Sequence, residues 1–405
     1  MPNGSVCGAG RNPGRPRPEP LTDPAAATGA WLARIPEAQR LAADAYTDAR
    51  LVGWIAGGVA VIAVCVILAR SGLLEQLRRR LEARGPRPWL AAATAAGGLA
   101  FALGVVSAVV GGVAAWRGDE ILRTAGAPPA GGLAAHLALA ASAILPDAVL
   151  AVLLVPPLLW LIRRRPNSWP LIAGAATVLV ILALGWLPYA LAAGPTLAPA
   201  PPGPARDGVI RLIAETGLPA RAVLASPDPA FDADVTGGFG RARVAVGPLL
   251  LAGPPAEARA YLGHLMGHYA HQDILIVCLV LGLVLTAGFF AAQRWGAPLA
   301  GWIGGRRVQG PSDPAALPAL AIIGFVALVF AGLAAGAYLR WANVRADAYS
   351  LDHAREPDGL AAVIEREWDH DSVDPTPLEA AIFYTHPPLE RRLEHAMAWK
   401  AAHGG

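Results

Sequence analysis

Residues 273–293, DILIVCLVLGLVLTAGFFAAQ, decide the fold class of this chain. After its first residue the stretch carries no charge. A helix of this length, rising about 1.5 Å per residue, spans the roughly 30 Å hydrocarbon core of a bilayer. The stretch therefore predicts a transmembrane helix.

The rest of the chain repeats this pattern. Hydrophobic residues make up 55% and charged residues 16% of the 405 positions, whereas soluble domains average about 45–50% and 25%. The other apolar runs lie at about 51–70, 89–116, 136–162, 170–194 and 316–340. The sequence predicts a mainly α, polytopic membrane protein with about six transmembrane helices, in contact with the lipid bilayer. A net charge of +3, without a basic stripe that interleaves aromatic residues, argues against a nucleic-acid partner.

The polar segments complete the predicted domain organisation. Gly, Pro and Arg dominate the start of the chain, and an amphipathic helical pattern follows them. The predicted division is a disordered N-terminus at 1–24, an amphipathic helix at 25–50, four transmembrane helices at 51–194, a soluble segment at 195–272, two transmembrane helices at 273–340 and a polar helical segment at 341–405.

Arginines in the loops predict the orientation in the membrane. Basic loops follow the first, third and fifth apolar runs, and the positive-inside rule places such loops in the cytoplasm. Both soluble segments then lie on the extracytoplasmic side of a multi-pass cell (inner) membrane protein. The arginines are Arg70, Arg78, Arg79, Arg80, Arg84 and Arg87 after the first run, Arg163, Arg164 and Arg165 after the third, and Arg294, Arg306 and Arg307 after the fifth.

A histidine pair is the main chemical signal. Residues 254–273, PPAEARAYLGHLMGHYAHQD, predict a helix on which His264 and His268 project from one face. This is the spacing of the zinc-binding H-E-x-x-H helix, but Leu265 occupies the position of its general base. His271 lies about 10 Å along the axis from His264, which is too far for both to bind one ion directly.

Further motifs give this helix a family context. The chain resembles the type I CAAX prenyl proteases, which are integral-membrane zinc metallopeptidases, and their bacterial branch in particular, over about 22–400. The residues that carry the resemblance are DADVTGGFG at 232–240, AYLGHLMGHY at 260–269, Ala346 with Asp347, AREPDG at 354–359, and Thr385-His386-Pro387.

The resemblance implies a small α+β metallopeptidase-like domain, assembled from the two soluble segments. It implies an edge strand beside the substrate, with Asp232, Ala233, Asp234 and Val235 as substrate-binding residues. It also implies metal ligands at His264, His268 and Asn343, and support of the site by Asp347. His386 and Arg391, with its neighbour Arg392, are expected beside this group, where the arginines would pair with Asp347 or with a substrate carbonyl.

Two departures from the family pattern bear on activity. Leu265 cannot accept a proton, and a missing general base costs about 10²–10⁴ in rate. Asn343 replaces a glutamate ligand with a neutral carbonyl oxygen, which suits harder ions than zinc. We therefore predict weak or absent zinc binding.

Three functions remain open at this stage. The first is a catalytically impaired or inactive scaffold that binds peptides or membrane-protein segments by strand addition. The second is an active zinc endopeptidase with a non-standard site, which would take its third ligand from Asp347. The third is a transporter-like or structural membrane protein, for which paired broken helices or inverted repeats would be the sequence sign.

Overall fold

The computed structural model describes residues 23–404, except 84, 86, 87, 129, 130, 195, 305–307, 309 and 369. The predicted disordered segment 1–24 lies outside the described residues except for its last two, and the first helix begins at Pro24. Four of the arginines used for the orientation, Arg84, Arg87, Arg306 and Arg307, also lie outside them.

Six helical segments of the described chain are long and apolar enough to cross a bilayer, which confirms the predicted fold class. These segments are Glu37–Ser71, Pro88–Thr124, Leu133–Arg164, Trp169–Ala190, Asp273–Ile303 and Pro314–Ala354. Their outward faces carry exposed leucine, isoleucine, valine and phenylalanine side chains, as expected where lipid is the solvent.

Helix boundaries in the membrane part follow local sequence. The elements are α2 (Glu37–Ser71), α3 (Leu73–Glu82), α4 (Pro88–Thr124), α5 (Leu133–Ala141), α6 (Ile144–Arg164), α7 (Trp169–Ile181), a π-helical turn (Leu182–Trp186), α8 (Leu187–Ala190), α12 (Asp273–Ile303), a 3₁₀ turn (Pro314–Ala316) and α13 (Leu317–Ala354). The third apolar run, predicted as one helix, is two helices that meet at Ser142 and Ala143.

The prediction of a single amphipathic helix at 25–50 is wrong, because the structure has two helices over this range. The range is divided into α1 (Pro24–Leu32) and the first turns of α2, which continues without a break into the first span. Pro36 is the N-cap of α2. A proline lacks the N–H that a continuous helix would need and disfavours helical geometry in the residue before it, so the chain breaks there.

The two soluble segments form one small α+β unit together with α1, which packs on the last helix of the chain, α16. Its elements are α1, β1 (Ala198–Pro199), α9 (Pro204–Thr216), β2 (Ala220–Ala225), β3 (Ala233–Thr236), β4 (Ala242–Val246), α10 (Pro248–Ala252), α11 (Pro255–His271), α14 (Pro357–Arg366), α15 (Pro377–Phe383) and α16 (Leu389–His403). The sheet order is β1-β2-β4-β3, with β2 and β4 parallel and the other two pairs antiparallel.

Two apolar cores hold this unit together. The first lies between the sheet, α9 and α11, and includes Val209, Val244 and Met266. The second joins α11, α14 and α16, where Ala260, Leu360 and Leu393 are buried together with Ile35. Since α11 contributes to both cores, the histidine helix is the central element of the unit.

Candidate metal site

The site lies where α11 crosses α13. Gly263 and Gly267 allow the two helices to approach closely, because a Cβ atom added at Gly267 would lie 2.9 Å from Cα of Ala346. Both glycines are one residue before a histidine of the pair. The close approach brings the histidine face of α11 against the face of α13 that carries Asn343 and Asp347.

His264 and His268 turn the same ring nitrogen toward each other. Their Nε2 atoms are 3.1 Å apart. On the opposite side of each ring, Nδ1 of His264 lies 2.7 Å from Asp347 and Nδ1 of His268 lies 2.8 Å from Asp273. Because an ionised carboxylate only accepts hydrogen bonds, each Nδ1 donates to its carboxylate, and the Nε2 atoms keep their lone pairs.

Asn343 supplies a third acceptor at the same point. Its Oδ1 atom lies 3.1 Å from Nε2 of His268. Its amide nitrogen donates to the carbonyl oxygens of Leu339, at 2.9 Å, and Thr385, at 3.0 Å. These two bonds fix the amide orientation, so that the oxygen and not the nitrogen faces the histidines.

Asp347 is held by an arginine as well as by His264. The guanidinium of Arg392 donates from Nε and Nη2 to the two carboxylate oxygens, both at 2.8 Å. Arg391, the residue predicted to support the site, is exposed. Adjacent residues point about 100° apart on a helix of 3.6 residues per turn, so only Arg392 faces inward.

Asp273 is a site residue that sequence reasoning missed. It is 1% exposed and accepts hydrogen bonds from Tyr338 and Arg345 in addition to His268. It follows Gln272, whose positive φ of 56° ends α11 and redirects the chain. Only the presence of an acid at the first position of a span hinted at a role, because such residues are rare near lipid.

Leu265 is half-buried and packs against the first apolar core of the unit. Nδ1–H of His271 donates to the carbonyl oxygen of Gly267 at 2.7 Å, and the ring packs edge-on against Tyr349; His271 is therefore engaged within α11 and with α13. His386 does reach the site, since its ring stacks on that of His264 with centroids 6.3 Å apart.

Electrostatics keep two of these rings neutral at pH 7. Burial lowers the pKa of His264, against the opposing influence of Asp347. Burial and the neighbouring charge of Arg392 lower the pKa of His386 to about 3. Neutral imidazole is the form that binds a metal ion.

The substrate-binding residues predicted at 232–235 lie on and just before β3, which is an edge strand of the sheet. Ala233, Asp234 and Val235 belong to the strand, and Asp232 precedes it. β3 packs alongside α11, and one of its sides has no strand neighbour in the described sheet. Burial raises the pKa of Asp234.

The separation of the two Nε2 atoms matches that of two ligands of a tetrahedral metal ion. Two nitrogens bound to zinc at 2.0–2.1 Å in tetrahedral geometry lie about 3.3 Å apart, close to the 3.1 Å between the Nε2 atoms. Nε2 of His268 lies 3.1 Å from both Nε2 of His264 and Oδ1 of Asn343, and lone pairs this close are unfavourable unless a cation or a shared proton lies among them. The charge fits less well, because imidazole and amide ligands carry no negative charge that would offset the charge of a metal ion. No group of three His, Cys, Asp or Glu side chains with metal-binding geometry occurs in the described part of the chain.

Comparison with known proteins gives this geometry a context. Residues 205–400 match the model of peptidase family M48. Protease HtpX from Salmonella arizonae and Protease HtpX from Salmonella newport are each 29% identical to this chain over 155 residues, 35% of this chain and 53% of the relative. The chain thus spans about half the length of these curated relatives.

A solved structure extends the similarity to the membrane part. The crystal structure of Ste24p from S. mikatae matches with a TM-score of 0.52 at 14% sequence identity, over 80% of this chain and 84% of Ste24p. A match at this identity shows a shared fold.

Proposed function

Because this chain belongs to the CAAX-protease-like membrane metallopeptidases and carries an M48 domain, we propose that it is a catalytically impaired member. In this proposal it binds extended peptides or membrane-protein segments, holds zinc weakly and hydrolyses peptides slowly or not at all. The observation that carries the proposal is Leu265, an apolar side chain packed against the core of the unit at the position where the family resemblance implies the general base.

The other residues of the site support metal binding more than catalysis. His264, His268 and Asn343 would hold the ion, and zinc in such a site polarises a carbonyl and lowers the pKa of bound water. Asp347 and Asp273 accept hydrogen bonds from Nδ1 of the two rings and so orient them, as carboxylates bonded to ligating histidines do at metal sites. A neutral amide in place of a carboxylate removes one negative charge next to the ion, so affinity falls.

A proton acceptor is the part that this arrangement lacks. Asp347 is engaged by Arg392 and His264, and Asp273 by His268, Tyr338 and Arg345. Both carboxylates are therefore occupied on the far side of the rings. We infer that hydrolysis is slow even when an ion is bound, because no free carboxylate of the cluster faces the Nε2 atoms.

Peptide binding is the function that survives the loss of the base. A peptide could add as a further strand to the free side of β3, where main-chain hydrogen bonds give affinity without chemistry. β3 itself packs alongside α11, so a peptide added to this strand would lie near the histidine helix. The side of the membrane on which this occurs is extracytoplasmic in our proposal, from the arginine-rich loops.

Binding without turnover is the test. Purified full-length protein in detergent is titrated with a library of fluorescent peptides of about ten residues. Each peptide is then recovered, and its mass is measured by mass spectrometry. The proposal expects saturable binding with peptides recovered intact. Chelator-sensitive cleavage would instead support the active-peptidase alternative, and the absence of any binding would contradict both.

A further inference from the structure

A long apolar groove runs between α12 and α13 on the lipid-facing side of the membrane part. Its volume is about 1350 Å³, larger than the roughly 300–1,000 Å³ of small-molecule pockets. Close contact between the two helices forms its floor, since a Cβ atom added at Gly288 would lie 2.6 Å from Cβ of Ala327. Val326 and Phe330 are among the exposed apolar side chains that line it.

Polar groups occur at one end of this groove only. Gln293 and Arg294 line that end, beside Trp295. Arg294 lies about 30 Å along α12 from Asp273, given a rise of 1.5 Å per residue, so the polar end is at the membrane face opposite the histidine site. Trp295 is 57% exposed, as is typical of the aromatic belt at a membrane interface.

The charge at this end extends beyond a single arginine. The side chain of Gln293 donates to the carbonyl oxygen of Pro166 at 2.8 Å, which holds the groove end against the C-terminal end of α6, where Arg163, Arg164 and Arg165 lie. All three of these arginines are exposed. Among the described residues, no carboxylate forms an ion pair with Arg294.

We propose that this groove binds an anionic phospholipid, with the acyl chains along α12 and α13 and the phosphate at Arg294. An apolar slot that ends in unpaired cations matches the two parts of such a lipid, and basic pockets between transmembrane helices are known to take anionic headgroups. A zwitterionic lipid would fill the slot equally well but would gain little from the arginines. The site is separate from the histidine pair and does not depend on its chemistry.

Quenching of Trp295 by brominated acyl chains tests the proposal. Full-length protein is reconstituted in phosphatidylcholine vesicles that contain the same minor fraction of either brominated phosphatidylglycerol or brominated phosphatidylcholine. The fluorescence of Trp295 is obtained as the difference between the fluorescence of the wild type and that of Trp295→Phe. We expect phosphatidylglycerol to be enriched at the groove roughly fivefold, the factor that corresponds to about 1 kcal/mol for one arginine near an anionic headgroup.

Four variants decide between headgroup recognition and bulk lipid. Arg294→Gln should abolish the preference and Arg294→Lys should keep it, because only the charge is needed. Arg117→Gln, which removes an exposed arginine from the end of α4, is the matched control and should leave it unchanged. Val326→Phe, which fills the groove, should reduce quenching by both lipids. Equal quenching by the two lipids in the wild type, or a preference that survives Arg294→Gln, would overturn the proposal.

Discussion

The amide oxygen of Asn343 lies 3.1 Å from Nε2 of His268, and its amide nitrogen is tied to two backbone carbonyls. The neutral oxygen of Asn343 therefore faces the histidine pair. In the proposed function this residue is the third metal ligand, and it lacks the negative charge that a carboxylate would supply.

Restoring that charge should raise metal affinity. Asn343→Glu adds a carboxylate next to His268. After dialysis against buffer that contains micromolar zinc, we expect this variant to hold much more zinc per chain than the wild type. Asn343→Gln is the matched control, because it changes the length of the side chain without adding charge and should not raise zinc content. Inductively coupled plasma mass spectrometry measures the metal per chain. Equal zinc in the Glu and Gln variants would show that charge at this position is not what limits binding.

A general base should matter only when metal is held. In the Asn343→Glu background, Leu265→Glu should increase peptide hydrolysis by about 10²–10⁴, whereas Leu265→Glu alone should change it little. The double variant with Leu265→Gln is the control for side-chain polarity. Since Leu265 packs against the apolar core, the size-exclusion profile of each variant is compared first. A Gln variant as active as the Glu variant would contradict the assignment of this position.

The sequence was sufficient for much of this site because helical periodicity is a short-range rule. The i, i+4 spacing placed His264 and His268 on one face, and six apolar runs gave the spans. The same rules could not distinguish Arg391 from Arg392, because which face of α16 packs inward depends on the tertiary core around Leu393. Asp273 was not predicted because its contact with His268 requires the left-handed backbone conformation of Gln272. Sequence reasoning expects that conformation at Gly or Asn, and this position has neither.

The ion pair of Arg392 with Asp347 should be a stability determinant. Arg392→Met leaves a buried carboxylate with one partner fewer, and breaking a buried pair in this way costs about 3–5 kcal/mol. Arg391→Met, its exposed neighbour, should stay within about 0.5 kcal/mol of the wild type. Thermal unfolding in detergent, followed by tryptophan fluorescence, compares the two. Equal midpoints for both variants would show that the pair does not stabilise the fold.

Strand addition to β3 predicts a pattern in peptide binding. Only every second N–H group of an added strand donates to β3, because successive backbone N–H groups point to opposite edges of a strand. N-methylation at one alternating set of amides should therefore abolish binding, whereas methylation of the other set should be tolerated. Fluorescence anisotropy with the unmodified protein measures both series. Equal losses from the two sets would contradict strand addition and point to side-chain pockets.

The predicted orientation can be tested with single cysteines. After Cys7 is replaced by Ser, a cysteine at Ser226 in the soluble unit should react with an impermeant maleimide in intact spheroplasts. A cysteine at Asn167, beside the arginine loop, should react only after lysis. The native Cys65 and Cys278 are buried and serve as the background. The reverse labelling pattern would place the soluble unit in the cytoplasm.

Zinc content and turnover of the unmodified protein test the central claim most directly. The full-length chain is purified without added metal or chelator, its zinc per chain is measured, and peptide cleavage is assayed with and without a chelator. We predict substoichiometric zinc and no chelator-sensitive cleavage. One tightly held zinc per chain together with chelator-sensitive cleavage would show that another proton acceptor serves the site and that this protein is an active peptidase.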